Sequence, residues 1–123
     1  MAFLNDRVFD NGLTVLDTEA NAIHVTSQEA TTYTEASSTY TLGNSTSLSI
    51  AAPSDRTGGG RKVTVAAISD GSITADGTAT HYAIIDSTNS RLLATAALTA
   101  SQSVTNGNTF TLASFDIGVP DPS

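Results

Sequence analysis

The feature that most limits how this chain can fold is the rhythm of its second half. From Lys62 onward "KVTVAAIS" alternates apolar and polar residues; Asp70-Gly71 follows, then "SITA", then Asp76-Gly77, then "TATHYAIID". A period of two places one face of an extended strand on a core and the other on solvent. Asp-Gly between such runs is a strong hairpin signal, because a type I′ turn needs positive φ at both central residues. The pattern predicts a meander of three strands, with Gly71 and Gly77 at positive φ. Ser87, Thr88 and Asn89 supply another turn and "SRLLATAAL" a fourth strand; Asn106-Gly107 leads into "NTFTLASFDIGV" as the last. Pro120 and Pro122 cannot donate ladder hydrogen bonds, so residues 120–123 read as a tail.

Upstream, Leu4, Val8 and Phe9 recur at helical spacing, with Asn5 placed to cap and Gly12 to terminate, which predicts a short helix over residues 4–11. "NAIHVTS" reads as a half-buried strand with Ile23 and Val25 inward and His24 toward solvent. Residues 28–60 are rich in Thr, Ser, Gly and Ala. Tyr40/Leu42 and Leu48/Ile50 mark short strands there, and the rest reads as a long polar loop. The expected fold is all-β: a single-domain antiparallel β-sandwich over residues 1–119, of six to eight strands, with a short N-terminal helix and a long polar middle loop. Its expected core is Val63, Val65, Ile73, Tyr82, Ile84, Leu93, Phe110, Leu112 and Ile117.

A chain of 123 residues suits one domain. It has no cysteine, hence no disulfide and no thiolate chemistry. "MAFLNDRVFD" puts charges where a signal peptide needs an apolar run, so folding in a cytoplasm is expected. The formal net charge is -7, and the cations are Arg7, Arg56, Arg61, Lys62 and Arg91. That balance argues against direct nucleic-acid binding and against an anionic membrane surface as partner.

The stretch "SDRTGGGRKVTV" sets three glycines beside two cations. A phosphate loop needs G-x-x-x-x-G-K-[ST] opening a helix, whereas Val63-Thr64-Val65 alternates as a strand. The glycines read instead as a hinge, with Arg61 and Lys62 guarding a strand edge or meeting an acidic partner. His24 and His81 lack companions at metal-ligand spacing, and no G-x-S-x-G elbow supports a triad. Asp70 and Asp76 are accounted for by turns. No catalytic residue, metal or cofactor is therefore expected. Tyr33 and Tyr40 serve either as sugar-stacking faces or as pins that hold the middle loop to the sheet.

Two stretches carry a resemblance. "FLNDRVFDNGLTVLDTEANAIHVTSQEATTYTEA" is similar to the opening of small proteins encoded by tailed phages and prophages. "GSITADGTATHYAIIDSTNSRLLATAALTASQSVTNGNTFTLASFDI" resembles their second half. The resemblance implies a β-sandwich virion component and carries over no catalytic residue. The expected function is thus a non-enzymatic virion structural protein, a capsid decoration or stabilising protein on the head surface, made in the host cytoplasm. A host-surface or glycan-binding module of a tail or fibre is the alternative. The expected partners are the major capsid protein or another virion protein, together with further copies of the chain, a trimer being favoured. Arg61, Lys62, Tyr33, Tyr40 and Phe3 are the candidate contact residues.

Overall fold

The structure is a computed structural model that describes residues 3–4, 12–57 and 61–119. Its strands are β1 (Phe3–Leu4), β2 (Ala22–Thr26), β3 (Thr41–Ser45), β4 (Ser54–Asp55), β5 (Arg61–Val65), β6 (Ile68–Ile73), β7 (Gly77–Asp86), β8 (Arg91–Val104), β9 (Thr109–Leu112) and β10 (Phe115–Val119). A helix, α1 (Thr14–Glu19), precedes β2, and a π-helical turn, Glu35–Thr39, precedes β3. All described pairings are antiparallel. They form a seven-stranded sheet in the order β1-β8-β7-β2-β3-β6-β9 and a three-stranded sheet in the order β10-β5-β4. The fold is all-β, as the alternation implies.

Two apolar clusters sit on opposite faces of the large sheet. Between the sheets, Val63, Val65 and Ile117 from the small sheet meet Ile23, Val25, Ile73, Ile84, Leu93 and Phe110 from the large one. On the far face, Ala22, Ala83, Ile85 and Leu92 are covered by Ala30, Ala36, Tyr33 and Tyr40 from the segment that links β2 to β3. Small alanines let that segment lie close on the sheet. Consequently β2 is buried along its whole length. His24, expected on the solvent face, is 8% exposed because that face is covered, and its Nδ1 lies 2.7 Å from Thr41 Oγ1.

The large sheet must curl. β8 is second in its order and β9 seventh, yet residues 105–108 alone connect them. Five strand spacings in a flat sheet would separate them by about 24 Å. The connection reaches at most about 18 Å when fully extended. The sheet closes the difference by bending into a half-barrel. Asn106 N donates to Asp76 Oδ1 and Gly107 N to Ile73 O, tying this connection to the end of β6 and to the β6–β7 link.

Several local expectations are corrected. Asp70-Gly71 is not a hairpin turn but lies inside β6, and Gly77 opens β7. The described glycines at positive φ are Gly12 and Gly107. β5 and β6 belong to different sheets, and β6 is not paired with β7, so the three-strand meander does not form. The tight hairpin is β7–β8, whose turn holds Ser90 at φ 55°. "NTFTLASFDIGV" yields two strands, β9 and β10, because the chain crosses between sheets at Ala113 and Ser114. In the middle stretch Leu42 marks β3 as expected, and Ile50 bridges to Val65.

At the N-terminus, Leu4 lies in β1 rather than in a helix, and residues 5–11 are outside the described residues. The described helix, α1, follows Gly12 because Leu13, Val15 and Leu16 are the residues that reach the core. Seven of the nine expected core residues are buried; Tyr82 and Leu112 are half-buried at its margin. The tail at residues 120–123 lies outside the described residues. No described helix is long and apolar enough to cross a membrane.

Candidate functional site

Alternation along β5 sends Val63 and Val65 inward and Lys62 and Thr64 outward. On β10 the same rule buries Ile117 and turns Asp116 and Gly118 out. The register sets Asp116 opposite Thr64 and Gly118 opposite Lys62. Thr64 Oγ1 donates to Asp116 Oδ1 at 2.7 Å, and Lys62 Nζ donates to Asp116 Oδ2 at 3.2 Å. The Thr64 hydroxyl first, then Lys62, holds the Asp116 carboxyl below its ordinary range. Arg61 donates through one guanidinium nitrogen to Asp55 Oδ1 at 2.7 Å and through the other to Pro53 O at 3.2 Å.

Arg56, which was not among the expected contact residues, completes this face. A β-carbon on Gly118 would come within 2.9 Å of Arg56 Cδ, so the glycine leaves room for the arginine stem. Arg56, Thr57, Lys62, Asp116 and Gly118 line a hollow of about 390 Å³. Arg61 and Lys62 stand on the central strand of the small sheet, so they do not guard an edge as expected. Gly58, Gly59 and Gly60 lie outside the described residues. The chemistry available here is exchange of carboxylate partners on a set of fixed cations.

The other expected contact residues stand elsewhere. Tyr33 and Tyr40 are half-buried against the far-face cluster, which is the pinning role considered for them. Tyr40 N donates to Glu35 O at 2.8 Å, closing the π-helical turn. Glu35 accepts from both the backbone N and the Oγ1 of Thr31, each at 2.8 Å, and its carboxyl is held below its ordinary range, chiefly by the Thr31 backbone. The Glu35 charge in turn pushes the Tyr40 phenol up. Phe3 pairs with Thr95 through β1. The five candidates thus occupy three separate places. Among the described residues no three His, Cys, Asp or Glu side chains come together as a metal site.

A second hollow was not expected. Between the register pairs Ala79–Gln102 and His81–Ala97, β7 has Thr80 alone, while β8 has Leu98, Thr99, Ala100 and Ser101. This bulge opens a groove of about 430 Å³ lined by β8 from Ala96 to Gln102, by Leu112, Ala113, Ser114 and Phe115, and by Tyr82. The Tyr82 and Phe115 rings pack with centroids 4.6 Å apart at 43°. Burial pushes the Tyr82 phenol up to about 12. Nothing in the sequence pattern marks this bulge, because "ATAALTASQSV" reads as one regular strand.

Compared with protein-family models, with curated proteins and with solved structures, the chain matches none.

Proposed function

We propose that this chain is a non-enzymatic structural protein of a tailed-phage virion, a decoration or stabilising protein of the head, which docks on an acidic surface through the outer face of the small sheet. One observation supports the docking face above others. In a chain of net charge -7 with 5 Lys and Arg in all, Arg56, Arg61 and Lys62 stand together on or beside β4 and β5. Exposed ion pairs such as Arg61–Asp55 contribute about 0–1 kcal/mol, so carboxylates of a partner can replace Asp55 or Asp116 at small cost. Opposite charge on the partner also speeds encounter. The tie to a virion rests on the resemblance of the two quoted stretches, and the partner is then the major capsid protein or another virion protein. Assembly as a trimer belongs to the same proposal and is read by sedimentation equilibrium.

The test is co-sedimentation with capsids that lack the protein. Arg61→Ala with Lys62→Ala is expected to weaken binding while leaving the circular dichroism spectrum unchanged, and added salt should mimic the substitutions. Binding indifferent to both changes overturns the docking face. Saturable ATP or GTP binding that the double substitution abolishes overturns the structural reading. A host-surface or glycan-binding module is the second reading, favoured by the aromatic pair Tyr82 and Phe115 in the groove. Saturable binding on a glycan array, lost in Phe115→Ala, would carry it.

A further inference from the structure

The half-barrel is open on one side, and its two open edges face each other. On its outer side β8 has β1 as a described sheet partner, opposite Ala94 and Thr95. β9 has β6 on its inner side and no described partner on its outer one. The connection through residues 105–108 ties these edges together at one end. Between them lie the groove of about 430 Å³ and a further hollow of about 200 Å³. Each is lined from both edges: Leu98 and Ala100 face Leu112 in the first, Gln102 and Val104 face Thr111 in the second.

The chemistry of the slot is specific. Unpaired strand edges offer rows of backbone N–H and C=O groups, which are obligatory hydrogen-bonding groups. Proteins usually guard such edges with charge or proline. Residues 96–104 and 109–114 contain neither, in a chain with 17 charged side chains (12 acidic and 5 basic). We propose that this slot accepts an extended, uncharged peptide strand from a partner protein, paired antiparallel to the outer edge of β8. β1 already demonstrates that geometry on the same edge, one step upstream. The occupant is a strand because the recognising groups are backbone edges on two sides. It is uncharged because the lining supplies no counter-ion and the protein as a whole repels acidic segments. The bulge and the Tyr82–Phe115 floor leave room for one apolar side chain of that strand. This site is separate from the cationic face of the small sheet and does not depend on it.

The experiment uses the full chain with a short extension fused before Met1, so that the added residues continue β1 along β8. Tethering gives an effective concentration on the order of millimolar, so weak intrinsic affinity does not hide the effect. Three extensions are compared: alternating valine and threonine, the same with glutamate for valine, and the first with a central proline. The neutral extension should slow amide hydrogen exchange over residues 98–104 by about tenfold and raise the melting temperature. The acidic and proline versions should do neither, and Ala100→Lys should cancel the gain. Unchanged exchange with the neutral extension, or equal protection by all three, overturns the proposal.

Discussion

The ring of Phe110 occupies the place where a β-carbon on Gly71 would stand. The two residues face each other across β6 and β9, next to the register shift between Ile68 and Gly71. Gly71→Ala should therefore cost on the order of 1–3 kcal/mol, the range for overfilling a packed site. In a Phe110→Leu background the same change should cost clearly less, because the two positions share one volume. Urea unfolding of the four chains measures this, and additive costs would show that the glycine serves something other than the ring.

Gly107 isolates a different cost. Its φ is +91° and an added β-carbon would meet nothing within 4 Å. Gly107→Val should lose about 1–3 kcal/mol from backbone strain alone, and Gly107→Asn less, since asparagine tolerates positive φ better. Thermal melts that rank asparagine no better than valine would refute the backbone explanation.

Burial holds the His24 imidazole down from 6.5 to about 4. The unfolded chain binds a proton near the upper value and the folded protein only near the lower one. Stability is therefore complete above pH 6.5, falls as the pH drops through this interval, and levels below pH 4, losing up to about 3 kcal/mol. Asp70 and Asp116, whose carboxyls are held below 3.8, lose their contribution only at lower pH. His24→Gln should flatten the curve between pH 6.5 and pH 4.5. Equal acid sensitivity of the two chains in urea unfolding would place the effect elsewhere.

Thr95 is 2% exposed and its hydroxyl has no hydrogen-bond partner among the described residues. An unsatisfied buried hydroxyl is a cost rather than a support. Thr95→Val keeps the shape and removes that cost, so it should leave stability unchanged or raise it by up to about 1 kcal/mol. A marked loss in chemical denaturation would reveal a partner for the hydroxyl.

Alternation made the inward faces of β5 and β7 legible, and Ser87 to Asn89 made the β7–β8 hairpin legible, because each is a local property of a few residues. The role of Gly71 was not legible: its partner Phe110 is distant in sequence, and Asp-Gly looks the same whether the glycine turns the chain or clears room for a ring. His24 was misplaced for a related reason. One strand's alternation cannot reveal that Ala30 and Ala36 return to cover its second face. Of the candidate contacts, Arg61 and Lys62 were visible as rare cations, while Arg56 joined them only through the space above Gly118.

The strand order also bears on how the chain reaches this state. β7 and β8 close through a short turn, but β2 must find β7, pairing Ala22 with Ile85, and β5 must find β10, pairing Val65 with Phe115. Such pairings require closing long loops before any contact offsets the entropy lost. Among small domains, contacts this remote in sequence go with folding in milliseconds to seconds rather than microseconds. The β7–β8 hairpin is the local unit on which a nucleus can form. Until β2 docks on it, the neutral edges of β8 stand uncovered on both sides, and that interval is when the chain is most open to pairing with a neighbour.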